Sequence, residues 1–223
     1  MSDDNFDCEL LRPIEYIHEA DPRMASYSKQ LADFHEDVSS IKLIDNVPRN
    51  IAIQFETTKN LYLYGWFIYR FYTVSEHHAL ACLELALYSR YRKTIPKKKY
   101  FPGHKEPALQ ALLQFAIDQN HVKNEGFETW RKITFKKARS RYKRNKSHEM
   151  HEKGLNQITL NYDEVEIGEE DKDWNYVQIL YEVLPKTRND HAHGSDELDS
   201  FHGPLHTIQI VSEVINQIYS NNP

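Results

Sequence analysis

Residues 76–91 read EHHALACLELALYSRY, and the fold class follows from them. Leu80, Leu83, Leu87 and Tyr91 recur at spacings of three and four, so they line one face of an α-helix. At 100° per residue, Glu76 and Glu84 fall inside the same leucine stripe. A carboxylate on an apolar face has to be paired, protonated or placed at a rim. Glu84 is then either an ordinary boundary residue or the partner of Arg188 in the fold.

Upstream, residues 55–72 hold eight aromatics, among them Phe55, Tyr62, Trp66, Phe67 and Phe71. Such a block has strand propensity, but its length without proline and the helix that follows it favour one long helix, with Gly65 as a break point. The rings are expected in the core, with some at a dimer surface; a stacking platform for bases is the alternative. Asn46-Val47-Pro48 is a break. Before it, Asp21-Pro22 reads as an N-cap with proline at the first helical position. Met24, Tyr27, Leu31, Phe34 and Val38 continue a first helix to about Ser40. Residues 1–50 form an N-terminal helical extension.

Downstream, Lys97-Lys98-Lys99 and Pro102-Gly103 read as a loop. Pro107 opens a helix with Leu109, Leu112, Leu113 and Ala116 on one face, ending near Asn120. Residues 131–153 then carry ten Lys or Arg against two Glu, and residues 163–173 carry seven acidic residues against Lys172. These are either two solvated segments that attract each other, or a basic run that tracks a phosphate backbone through Lys136, Lys137, Arg139, Arg141, Lys143 and Arg144. The region at about 122–173 reads as a charged insertion. Trp174, Val177, Leu180, Tyr181 and Leu184 restore a helix face, which Pro185 kinks or restarts. Gly203-Pro204 begins the last helix, with Leu205, Ile208, Val211, Ile215 and Ile218 on its buried face. The chain is expected to be an all-α antiparallel bundle of about five or six helices.

Composition narrows the function classes. Seven glycines and nine prolines in 223 residues are too few for a turn-dense all-β chain. A net charge of -5 confines any nucleic-acid surface to a local patch. Cys8 and Cys82 cannot build a disulfide framework or a Cys-based zinc site. Met1-Ser2-Asp3-Asp4 does not open a secretory leader, and no apolar run reaches the roughly 18 residues a membrane span needs. A cytoplasmic protein without membrane attachment is expected.

The densest chemistry lies at Arg188-Asn189-Asp190-His191-Ala192-His193-Gly194. Arginine stays charged and presents a donor fork to phosphate oxygens. Histidine titrates near neutrality and serves as general acid or base. Gly194 suits a left-handed position just past a helix end. Arg188 and His193, five apart, lie about 140° apart on an ideal helix and share no regular face. His191, three after Arg188, lies nearer to its face and is a rival. Asp190 would orient a histidine or compensate Arg188. The structural alternative is that Arg188, Asn189 and His193 satisfy one another and cap a helix end.

Arg188, Asn189 and His193, with three residues between the last two, resemble the RNxxxH form of the Rx4-6H motif of HEPN domains (higher eukaryotes and prokaryotes nucleotide-binding). The resemblance extends loosely over residues 55–220 through the Leu-rich helix with Glu84, the Leu109–Ala116 helix, and the motif's place before the last helix. It does not cover the first 45 residues or the basic insertion. It implies a HEPN-like domain over 51–223 in an antiparallel bundle, and a metal-independent endoribonuclease acting through the ribose 2′-OH. Arg188 and His193 would be catalytic and Asn189 orienting. It also implies a homodimer that brings two motifs into one cleft, and roles in phage defence, as a toxin or in stress responses, with an antitoxin or regulatory protein as a further partner. The alternative is a non-catalytic module of the same type that binds nucleotide, RNA or a partner protein. No cofactor is expected. His148-x-x-His151 and His191-x-His193 lack the additional ligands that would complete a metal site.

Overall fold

A computed structural model describes residues 10–193, 198 and 200–220, and every described element is helical. Two compact units are present. One comprises the described residues up to Val122 and from Tyr181 onward; the other is Lys123–Leu180.

The first unit is a helical bundle built round α3 (Phe71–Tyr91). This helix packs on α2 (Arg49–Tyr64), α5 (Leu109–Asp118) and α8 (His202–Ser220). Leu80, Leu83, Leu87 and Tyr91 are all buried, as their spacing requires. α1 (Leu31–Ser40) packs on α2, and the one-turn α4 (Lys97–Tyr100) packs on α5. The aromatic block supplies core. Tyr62 and Tyr72 are fully buried, and the ring of Phe34 lies 4.8 Å from that of Phe201 just before α8. Asn216 of α8 accepts from the Ile44 amide at 2.9 Å and donates to the Lys42 carbonyl at 2.9 Å, which ties the link after α1 to the last helix.

Several boundaries differ from the sequence expectation. The helix expected from Asp21 to Ser40 is two pieces. A 3-10 helix, Pro22–Ser26, is capped by Asp21, and Tyr27 is then extended. α1 starts afresh at Leu31, where the Gln30 amide donates to Asp33 at 2.7 Å. The 55–72 block is likewise not one helix. α2 ends at Gly65, and α3 starts at Phe71. A Cβ at Gly65 would lie 2.6 Å from the buried Tyr72 ring, so the chain turns where only glycine lets that ring approach. Lys97-Lys98-Lys99 forms α4 instead of a loop. With these changes the described chain has eight α-helices, more than the five or six expected. Cys8 and Gly194 lie outside the described residues.

The second unit is organised by α6 (Glu128–Glu152). Trp130 donates to the Trp174 carbonyl at 3.2 Å, Trp174 donates to the Thr134 hydroxyl at 3.4 Å, and Phe127 stacks edge-on against Tyr176. Gly154, at φ 61°, ends α6, and the Leu155 amide reaches back to the Met150 carbonyl at 2.9 Å. The run expected as an insertion is thus an ordered helix with its own small core. α7 (Tyr176–His193) runs on through Pro185 without a restart. Its last three turns belong to the first unit.

Candidate active site

The end of α7 is held by two carboxylates of α3. Glu84 binds Arg188 through a single oxygen, which accepts from Nε at 3.1 Å and from Nη2 at 2.9 Å. Two turns earlier on α3, an oxygen of Glu76 lies 3.1 Å from His191 Nε2. The other Glu76 oxygen accepts from the Thr207 hydroxyl of α8 at 2.5 Å. Arg188 and His191 are three residues apart on one helix and therefore reach the same neighbour. Glu76 and Glu84 are eight apart, about 12 Å along α3, and receive them in turn.

The two pairs differ in burial. The side chains of His191 and Glu76 are only 7% and 9% exposed, while those of Arg188 and Glu84 are 36% and 24% exposed. A buried carboxylate needs its charge balanced, and Glu76 has both a ring N–H and a hydroxyl to accept from. With Nε2 donating to Glu76, His191 Nδ1 is buried and has no hydrogen-bond partner among the described residues. Its ring stacks on His77 of α3 at 6.2 Å.

The remaining motif residues face outward. Asn189, Asp190 and His193 are exposed, and the Asn189 side-chain oxygen lies 3.5 Å from Arg188 Nη1. His193 is the last residue of α7, and two residues past His191 it sits on the opposite side of the helix. The motif is therefore divided. Arg188 and His191 turn toward α3, and His193 turns toward solvent. The expected pair of Arg188 with Glu84 is present. Sequence reasoning placed Glu76 on the stripe but assigned it no partner, and it passed over Thr207 and His77. The available signal was that Glu76 and Glu84 lie on the same apolar stripe and both call for a partner; nothing in the sequence marks Thr207.

Burial pushes His77 below the ordinary histidine value, and the neighbouring His191 and Arg188 push it the same way. His78, whose Nδ1 lies 2.8 Å from the Thr58 hydroxyl, is also pushed down, first by burial and then by His77. Protons then bind the unfolded chain more readily than the folded one. This contribution to stability is complete above about pH 6.5, the unfolded value, and is lost as pH falls through the lower folded values. The urea midpoint should therefore drop between neutral and mildly acid pH, and His77→Gln with His78→Gln should flatten that drop. A midpoint that rises on acidification would contradict it.

The basic run splits as well. Arg141 donates to Asp171 at 2.7 Å and pairs with Glu170 at 3.2 Å; Lys137 pairs with Asp173; and the Arg139 guanidinium lies 3.8 Å over the Tyr162 ring. The Arg141 guanidinium holds the Asp171 carboxyl below the usual carboxylate range. Lys136, Lys143 and Arg144 are exposed and make no ion pair with a described residue. His148 pairs with Glu152 at 3.3 Å, and among the described residues no three His, Cys, Asp or Glu side chains gather as a metal site. No described helix is long and apolar enough to cross a membrane. Compared with protein-family models, with curated proteins and with solved structures, the chain matches none.

Proposed function

We propose that this chain is a HEPN-like, metal-independent endoribonuclease that acts in the cytoplasm as a homodimer. The observation that carries the reading is the state of the two motif residues required for the chemistry. Arg188 is fixed in place by Glu84 yet keeps about a third of its side chain exposed, and His193 stands in solvent on the last turn of α7. A preorganised cation suits the charge that builds on a phosphorane, and an accessible imidazole can move protons. The 2′-OH would attack the adjacent phosphorus and displace the 5′-oxygen, with a proton leaving the 2′-oxygen and another reaching the leaving oxygen. The products are a 2′,3′-cyclic phosphate and a 5′-hydroxyl. Asn189 orients Arg188, and Asp190 and His191 are accessory.

Two motifs in one cleft would supply a base and an acid from separate copies. α3 offers a surface for this, since Val74 and Leu85 are 47% and 38% exposed and, with Ala81, lie on one outward stripe. Phage defence, toxin action or stress response would be the setting, with an antitoxin or regulatory protein in control. One observation favours a second reading, a non-catalytic module binding nucleotide, RNA or a partner protein: Glu84 already balances the Arg188 charge.

The test is incubation of the purified chain with mixed cellular RNA in excess EDTA, with the product ends mapped and the mass taken by light scattering. Cyclic-phosphate and 5′-hydroxyl ends from a dimer are expected. No products from a folded dimer would remove the nuclease reading, and 5′-phosphate ends would remove attack by the 2′-OH.

A further inference from the structure

α6 has two charged surfaces, and among the described residues only the first makes ion pairs or ring contacts with the acidic segment. On the first, which comprises the two flanks of the helix, Lys137 and Arg141 lie to one side and are neutralised by Asp173, Asp171 and Glu170, and Arg139 lies to the other and is laid on Tyr162. On the second, Lys136, Ser140, Lys143, Arg144, Ser147 and His151 recur at three, four and seven residues and are all exposed. They form one stripe about 22 Å long. The glutamates of the helix, Glu128, Glu149 and Glu152, fall about 120° or more away from Ser140 round its axis, so α6 itself puts no acidic residue in the stripe; Glu170 and Asp171, both engaged by Arg141, border a depression along one edge of it with Lys136, Ser140 and Arg144. Part of it, from Ser140 to His151, borders a shallow depression of about 570 Å³.

We infer that this stripe holds the phosphate backbone of RNA, with Lys136, Lys143 and Arg144 supplying charge and Ser140 and Ser147 supplying hydroxyl donors. The inference rests on reading the chain as one that acts on RNA. A cation already bound to a carboxylate must give up that partner to meet a phosphate, so Lys137 and Arg141 gain little from RNA. A cation facing water gains the release of counterions from the nucleic acid. The chain as a whole is acidic, at a net charge of -5, so a polyanion has to be held by a local basic patch such as the stripe. The acidic segment settles which half of the basic helix stays available.

The test uses the full chain carrying His193→Ala, so that RNA stays whole, with a labelled single-stranded RNA in EDTA. Affinity is read by anisotropy between about 50 and 200 mM salt. Lys136→Gln/Lys143→Gln/Arg144→Gln should weaken binding at least about tenfold at low salt. It should also lower the slope of log affinity against log salt by about 2, or about 0.7 for each phosphate no longer neutralised. Lys137→Gln/Arg141→Gln, which removes only cations already paired with carboxylates, should keep the wild-type slope and melt earlier. A wild-type slope in the triple, or the larger loss in the double, would overturn the inference. Should the triple melt early, Lys143→Gln and Arg144→Gln alone are each expected to take about 0.7 from the slope. Stripe-dependent binding by a chain whose parent does not cleave would keep this inference and remove the nuclease reading. Cleavage with stripe-independent binding would do the reverse.

Discussion

His193→Ala is expected to lower RNA cleavage by about a hundred- to ten-thousandfold while leaving the melting temperature unchanged. The size is that of losing one general acid or base, about 3 to 5 kcal/mol on the barrier. The neutrality in stability follows from position. His193 is exposed on the last turn of α7 and makes no hydrogen bond to a described residue, and surface truncations of that kind fall within about 0.5 kcal/mol. Turnover and a thermal melt on the same preparation separate the two effects. Cleavage that survives in His193→Ala would shift proton transfer to His191, and a large drop in melting temperature would show that His193 has a structural task.

Glu76→Ala should be the most destabilising single change in the motif's surroundings, by about 3 kcal/mol or more. The carboxylate is buried and takes both the His191 ring and the Thr207 hydroxyl, so its removal strands two buried polar groups at once. For a chain of this size that is a fall of roughly 6 to 12 °C in melting temperature. Glu76→Gln keeps the shape and an acceptor, and should lose less. Glu84→Ala, at the half-exposed pair, should cost under about 1 kcal/mol yet free Arg188 to wander. Urea titrations of the three variants order them. Equal losses for Glu76→Ala and Glu84→Ala would mean that burial does not set the difference.

The leucine stripe of α3 was legible because helical periodicity records burial directly, and all four of its marker residues are in the core. The break at Gly65 was less so. A glycine between aromatics reads the same whether it is tolerated inside a helix or demanded by a ring from further along the chain, and only the approach of Tyr72 decides. The break after Tyr27 was hidden for a related reason, since the apolar spacing from Met24 to Val38 continues across it and both halves still face the core. At the site, the Arg188–Glu84 pair could be anticipated because each residue was anomalous alone: a carboxylate on an apolar stripe, and a cation in a dense motif. Thr207 carried no such mark. Its hydroxyl matters only because α8 lays it against Glu76, 131 residues away.

That separation has a consequence for the order of synthesis. Glu76 and Glu84 leave the ribosome long before Arg188, His191 and Thr207, and pairings so distant along the chain are slow to close. The Lys123–Leu180 unit is contiguous in sequence, and the contacts of Phe127, Trp130 and Thr134 described above all lie within it. A growing chain can therefore complete its basic helix while the motif is still unmade. Arg188 can be braced once α7 has emerged, but Glu76 is satisfied by Thr207 only once α8 has followed, so on the reading proposed above the motif's surroundings would be completed last.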